Sequence, residues 1–246
     1  MANWQDPQTT GVNAATVSVP RAARDVGLRS YMLSVYNYMA SGVLLTGIVA
    51  MLFAPYASQV LISANGRGMS GLGWIVTLSP LAIVFAMSYG ASRMRTGTLQ
   101  VLFWAFAALM GLSMSTLFLV YTGASIAQTF FATAAAYLGL SLYGYTTKRD
   151  LSGIGTFLIM GVVGLIVAML INMFLQSSAM ALAISAIGVL LFAGLTAYDT
   201  QRIKSMYAYV QGTDMAGKTV IMGALTLYLD FINMFQFLLS FMGNRR

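Results

Sequence analysis

The sequence predicts an all-α polytopic membrane protein, folded as a bundle of seven transmembrane helices. Of its 246 residues, 59% are hydrophobic and only 8% are charged, whereas a water-soluble domain has about 25% charged residues. The apolar residues form seven stretches, each close to the ~20 residues that a helix needs to cross a bilayer. This composition excludes a water-soluble enzyme and a disordered chain. The 24 glycines favour close packing of helices within lipid.

The segment before the first apolar stretch, residues 1–30, predicts a flexible cytoplasmic tail. It is polar, it ends in the basic cluster Arg21, Arg24 and Arg29, and it lacks the apolar core and cleavage site of a signal peptide. The rest of the chain, residues 31–243, predicts a single transmembrane domain.

The seven spans follow one another, and turn-forming or charged residues separate each from the next. The separating segments are 54–73, 92–97, 122–124, 146–150, 175–178 and 199–218. Pro80 lies inside the second span, where a neighbouring helix can satisfy the carbonyl that a proline leaves free. The predicted spans are 31–53, 74–91, 98–121, 125–145, 151–174, 179–198 or beyond, and 219–242.

Basic residues predict how the bundle is oriented. Most of the 13 Lys and Arg lie in the tail and in the loops after the second, fourth and sixth spans. The positive-inside rule therefore predicts a cytoplasmic N-terminus. Seven complete spans place the C-terminus outside, whereas a re-entrant seventh segment would bring Arg245 and Arg246 inside. The cations form no continuous stripe, so the lipid bilayer and not a nucleic acid is the expected partner.

The titratable side chains are few. The acidic residues are six aspartates, with no Glu, and the chain has no His and no Cys, which excludes the usual zinc sites, thiolate nucleophiles and histidine switches. The 18 methionines are interpreted as packing residues. Four aspartates have ordinary predicted positions in the tail, beside a helix start or in a turn: Asp6, Asp25, Asp150 and Asp214.

Two aspartates lie within predicted spans. Asp230 is twelve residues beyond Lys218, about 18 Å along a helix. Asp199 is only about 7.5 Å from Lys204, and it reaches a similar depth if its helix continues toward Gln211. An ionisable group within the bilayer marks a functional site by default. The structural alternative is that each aspartate simply hydrogen-bonds a neighbouring helix or pairs with an Arg.

The functional interpretation is a carboxylate pair that senses pH on a cation pathway. Two carboxylates in contact cannot both ionise at low cost, so such a pair titrates as a unit. Its oxygens suit calcium, the candidate permeant and bound metal ion, and we expect no cofactor. Thr226 and Asn233 extend a polar face on the same helix as Asp230, and Arg93 and Arg95 are candidate latches that neutralise the pair.

Three motifs resemble those of the Bax inhibitor family, in particular of its bacterial members. They are GLTAYDTQRIK at 194–204, LTLYLDFINMF at 225–235 and LYGYTTKRDLSGIG at 142–155. The resemblance implies a seventh helix wrapped by the other six, in a bacterial cytoplasmic (inner) membrane. It also implies a pH-sensitive calcium leak gated by Asp199 and Asp230. The family's latching arginine matches Arg93 best, with Arg95 as the alternative.

Two other functions compete with a channel. Some relatives are similar to non-conducting regulators of a membrane-anchored AAA protease or of stress and cell death, which makes a protease or a stress partner an alternative expectation. An intramembrane aspartyl protease would also have two aspartates in adjacent spans. Its second aspartate stands in Gly-x-Gly-Asp, however, whereas this chain reads Tyr228-Leu229-Asp230. We therefore expect no enzyme.

Overall fold

A computed structural model describes residues 21–63 and 68–246. Within these ranges the chain forms eight α-helices, together with isolated β-bridges. Seven membrane-crossing segments are long and apolar enough to span a bilayer, α3 and α4 forming one of them. The predicted all-α bundle of seven spans is thus confirmed. The helices are α1 (Arg21–Leu61), α2 (Gly71–Gly90), α3 (Thr96–Met114), α4 (Leu117–Val120), α5 (Gly123–Thr146), α6 (Ser152–Leu175), α7 (Ser178–Val210) and α8 (Met215–Met242).

Helix α1 is longer than the apolar stretch that predicted it. It is described from Arg21 onward, and the residues that follow include the good helix formers Ala, Arg and Leu. Residues 21–30, predicted as tail, therefore belong to the helix. The rest of the predicted tail, residues 1–20, lies outside the described residues. Pro55 lies inside α1 without ending it.

Helix α7 also continues past its apolar segment. Residues 199–210 contain no Gly or Pro, so the helix runs on through polar residues to Val210. It stops where Gly212 adopts a φ of 75°, a conformation that glycine allows at little cost. The extension takes Asp199 well inside the helix.

Helix α8 is the most buried of the spans. In an apolar 18-residue stretch of this helix, 61% of the residues are buried, whereas the corresponding share in the other six spans is 17–39%. It packs against α1, α3, α5 and α7, whereas α6 packs on α7 and α2 packs on α1 and α3. These contacts do not show that all six other spans surround α8, so the central position of this helix stays a prediction.

The first described part of α1 and the C-terminus of the chain lie at opposite ends of the bundle. At one end, α1 packs beside the last turns of α7, where the rings of Tyr31 and Tyr207 are tilted against each other with centroids 5.4 Å apart. At the other end, the backbone N–H of Arg246 donates to the carbonyl of Val120 (2.9 Å). Helix α8 is continuous over its 28 residues, whereas a re-entrant segment needs a break. The seventh segment therefore crosses the bundle.

A buried hydroxyl cluster joins three helices of the core, and its loss is expected to destabilise the protein. Thr46 of α1 donates to the carbonyl of Ala107 of α3 (2.8 Å) and lies 2.6 Å from the hydroxyl of Tyr228 of α8. Thr46→Val keeps the shape but leaves that hydroxyl without its partner. We expect a loss of about 1 kcal/mol, measured by thermal unfolding in detergent. Equal midpoints for Thr46→Val and the exposed control Thr77→Val would contradict this.

Candidate functional site

The two intramembrane aspartates lie deep in adjacent helices. Asp199 is about 16 Å from the Val210 end of α7, and Asp230 is about 22 Å from the Met215 end of α8. Their residues are only 7% and 4% exposed, respectively. The depth mismatch that the sequence left open is removed because α7 continues to Val210.

The two carboxyl groups are neighbours across the α7–α8 interface, the most extensive helix interface in the described residues. Oδ2 of Asp230 is buried and has no hydrogen-bond partner among these residues. A hydrogen bond between two carboxyl groups needs a proton on one of them. Two buried neighbouring carboxyl groups are therefore candidates for sharing one proton.

Close contacts with glycines hold this part of α7 in place. A methyl group on Gly144 of α5 would overlap the backbone carbonyl of Ala197, and one on Gly155 of α6 would overlap the ring of Tyr198. Only glycine allows these approaches. Two helices therefore fix the turn of α7 that presents Asp199 to α8.

The cation nearest the pair is Arg202, which the sequence analysis did not select. Its Nη1 lies 4.0 Å from Oδ1 of Asp199, and its side chain is 55% exposed. In the sequence, the separation of Asp199 and Arg202 by three positions could have indicated this contact, because residues at i and i+3 are neighbours on a helix.

The structure does not bring the predicted latches to the pair. Arg93 and Arg95 lie in the turn between α2 and α3 and are exposed, and neither forms an ion pair with an aspartate in the described part of the chain. Both arginines are kept from the pair because this turn lies at the surface of the bundle. The backbone N–H of Arg93 donates to the carbonyl of Gly90 there (2.9 Å). A latch at either arginine stays a prediction for another conformation.

A polar cavity leads to the pair from the end of the bundle that holds the α7–α8 loop. It has a volume of about 290 Å³, and Asp199, Arg202, Lys218 and Thr226 are among the residues that line it. Asp230 is not among them. Asp199 is therefore the member of the pair that the cavity reaches.

The predicted supporting polar residues turn toward their own helix. Thr226 donates to the carbonyl of Met222 (3.1 Å), and Asn233 donates to the carbonyl of Leu229 (2.8 Å). Thr226 also lines the polar cavity. Both hydrogen bonds run along α8 itself.

A stripe of buried hydroxyls on α5, which the sequence analysis missed, runs past the pair. Its members recur at every fourth position, a spacing that places them on one helix face. We call these residues the hydroxyl stripe: Ser125, Thr129, Thr133, Tyr137 and Ser141.

The hydroxyl stripe contacts both helices of the pair. Tyr137 donates to the carbonyl of Leu227 on α8 (3.2 Å). Oγ of Ser141 lies 3.1 Å from Oγ1 of Thr200 and 2.6 Å from the hydroxyl of Tyr36. The fourfold spacing was visible in the sequence, but single hydroxyls are common in membrane helices and did not stand out.

Of the other four aspartates, Asp150 has a structural role. The N–H of Ser152 donates to Oδ1 of Asp150 (2.9 Å) at the start of α6, as predicted for a carboxylate at a helix N-terminus. Hydrogen bonds from the Ser152 side chain and then its backbone hold the pKa of Asp150 below its ordinary value. Asp25 and Asp214 are exposed, and Asp6 lies outside the described residues.

Comparison with known proteins gives consistent matches over most of the chain. Residues 28–246 match the family described as "Inhibitor of apoptosis-promoting Bax1". The chain is 49% identical over 225 residues to the uncharacterised protein RP147 of Rickettsia prowazekii, covering 90% of this chain and 92% of the relative. It is 46% identical over 230 residues to the inner membrane protein YbhL of Escherichia coli, covering 92% and 95%, respectively.

Proposed function

The chain belongs to the Bax inhibitor family of multi-pass membrane proteins, and from this premise we propose that it is a pH-sensitive leak pathway for calcium. The observation that supports this most strongly is that two buried carboxyl groups are neighbours and that a polar cavity reaches one of them. A purely structural aspartate has no need of a second carboxyl group beside it, because like charges in contact are costly.

The proposed gate is the contact itself. With one proton shared, the pair is compact and the cavity stops at Asp199. When that proton leaves, two negative charges remain in contact within a low-dielectric interior, and their repulsion favours separation of α7 from α8. Flux is therefore expected to rise as pH rises. Among the described residues, the charged and titratable groups around the pair and its cavity include Arg202 on α7, Lys218 on α8, Tyr137 on α5 and Tyr36 on α1.

The hydroxyl stripe offers polar oxygens along the rest of the route. Beyond Asp230 toward the C-terminal end, α8 presents mainly apolar residues, which include the buried Met234, Phe235 and Leu239. The stripe on α5 reaches the same end of the bundle, where Oγ of Ser125 accepts from the N–H of Asn244 (2.9 Å). We propose that cations follow this face once the pair separates.

Calcium is the proposed permeant ion of this route. It prefers oxygen ligands and takes 6–8 of them when bound. The described residues include no cluster of three or more His, Cys, Asp or Glu. Two carboxylates with neighbouring hydroxyls therefore form a weak site, which favours transit of the ion over retention. We propose no cofactor and no catalytic step at the pair.

We propose that the N-terminus faces the cytoplasm and that the membrane is the inner membrane of a bacterium. The positive-inside rule supports the first point, since the end of the bundle that holds the α1 start also holds most Lys and Arg. The second point is supported by the relative YbhL, named as an inner membrane protein of Escherichia coli.

Removal of Arg202 is expected to shift the pH profile of the flux. Its positive charge favours negative charge on Asp199, so with Arg202→Gln the rise in flux is expected at higher pH. The shift is expected to be less than about one pH unit because solvent screens an exposed cation. Calcium flux into liposomes, measured from acidic to alkaline pH, tests this.

The same assay separates Arg202 from the latches that the sequence predicts. We expect Arg93→Gln and Arg95→Gln to leave the profile unchanged, since both arginines are exposed and neither pairs with an aspartate in the described part of the chain. A larger effect of Arg93→Gln than of Arg202→Gln would instead support a latch at Arg93 in another conformation.

The alternative function is a non-conducting regulator of a membrane-anchored AAA protease or stress partner. In that case, liposomes with the wild-type chain would show no calcium flux at any pH. A protease that co-purifies with the chain, and still does so after both Asp→Asn substitutions, would then identify the regulator.

A further inference from the structure

A long apolar groove separates α1 from α5. Two cavities, of about 740 and 450 Å³, have four lining residues in common and therefore form one continuous groove. The shared residues are Val43, Leu44, Phe130 and Phe231. Helices α1 and α5 are not among the closely packed pairs of helices, so the groove follows the gap between them, with α8 behind it.

The groove is longer than the hydrocarbon depth of one lipid leaflet. From Arg29 to Leu44, the α1 residues of the larger cavity cover about 22 Å, and the smaller cavity extends the groove to Met51. Half of a ~30 Å hydrocarbon core is about 15 Å. The volume of each cavity is in the range of sites that bind small apolar ligands.

The groove is too narrow for a protein helix where its walls are joined. The hydroxyl of Tyr36 on α1 and Oγ of Ser141 on α5 lie 2.6 Å apart, and both residues line the larger cavity. An α-helix with its side chains is about 10 Å across. A flexible hydrocarbon chain fits beside this hydrogen bond, and a helix does not.

Positive charge lies at one end of the groove. Arg29 lines the groove, is exposed, and forms no ion pair with the residues that the structure describes. Lys204 is held beside the same end, because its Nζ donates to the carbonyl of Tyr145 (2.7 Å) and lies 4.8 Å from the centre of the Tyr145 ring. Tyr145 is itself a lining residue.

We propose that this groove binds one acyl chain of an anionic phospholipid from the surrounding bilayer, with the phosphate group at Arg29 and Lys204. The apolar walls match the chain, and the two cations match the negative headgroup. Asp199 and Asp230 do not line this groove, although Tyr137 and Ser141 of the hydroxyl stripe do. Lipid binding here does not require the proposed leak.

Lipid retention by the purified full-length chain tests this proposal. The chain is equilibrated in mixed micelles that contain equal amounts of phosphatidylglycerol and phosphatidylcholine, and retained lipid is measured by native mass spectrometry. We expect phosphatidylglycerol to be preferred, and Arg29→Gln to lower its retention about fivefold. The matched control is Arg149→Gln, which removes an exposed arginine outside the groove.

A second pair of variants tests the path of the acyl chain. Ala134 lines the groove, whereas its neighbour Ala135 is exposed on another face of α5. We expect Ala134→Phe to fill the groove and reduce the retained lipid, and Ala135→Phe to retain as much as wild type. Equal retention of both lipids would overturn the proposal, as would retention unchanged by Arg29→Gln. If Ala134→Phe fails to fold, the comparison of Arg29→Gln with Arg149→Gln still tests the proposal.

Discussion

Calcium flux into liposomes is expected to fall about tenfold or more at alkaline pH when Asp230 is replaced by Asn, and to lose its dependence on pH. Asparagine can still hydrogen-bond Asp199, but it cannot ionise, so the charge repulsion that opens the proposed gate does not arise. The magnitude follows from the low-dielectric position of the carboxylate, where its interaction with a cation exceeds ~1.4 kcal/mol. Asp199→Asn is expected to act in the same way.

The matched control for both variants is Asp214→Asn. Asp214 is an exposed residue at the start of α8, outside the carboxyl pair, so its substitution removes the same charge without affecting the proposed gate. All variants are reconstituted at equal protein-to-lipid ratios, and flux is followed with an encapsulated calcium dye at several pH values. If Asp199→Asn and Asp230→Asn conduct like Asp214→Asn at every pH, the pair is not the gate.

The second large effect is expected from Gly144→Val. A side chain here meets the backbone carbonyl of Ala197, and backbone cannot move aside as a flexible side chain can. We therefore expect α5 and α7 to be forced apart, with a loss of stability of about 3 kcal/mol. Thermal unfolding in detergent, followed by circular dichroism, measures this.

A glycine on the same helix provides the control. A Cβ on Gly139 meets nothing within 4 Å, so Gly139→Val introduces the same side chain into α5 without a collision. The difference between the two variants isolates the cost of the collision from the change in helix propensity. Similar unfolding midpoints for both would show that the approach of α5 to α7 does not need glycine.

Apolar stretches predicted the number and order of the spans, but they misplaced the ends of two helices. The length of an apolar stretch reports contact with lipid, whereas a helix continues as long as its backbone is unbroken. The residues after Pro20 in α1 and those from Asp199 to Val210 in α7 are polar and still helical. The same reasoning explains why the predicted depth of Asp199 was too shallow.

The sequence singled out the two intramembrane aspartates because so few ionisable residues lie in apolar surroundings. It could not identify their neighbours in the same way. Arg93 and Arg95 were chosen by side of the membrane, whereas Arg202 contacts Asp199 through helix geometry. The glycine contacts at Ala197 and Tyr198 depend on which helices pack together, and a single sequence does not contain that information.

Hydrogen bonds at both ends of α8 limit the movements open to it. At one end, Nζ of Lys218 donates to the carbonyl of Ser92 (3.1 Å), and at the other, residues 244 and 246 bond to Ser125 and Val120. Sliding of α8 along its own axis would break contacts at both ends at once. Separation of the carboxyl groups is therefore expected to come from a tilt or rotation of α7. Because the ring of Tyr198 packs against Gly155, α6 is expected to move with α7 as one rigid unit.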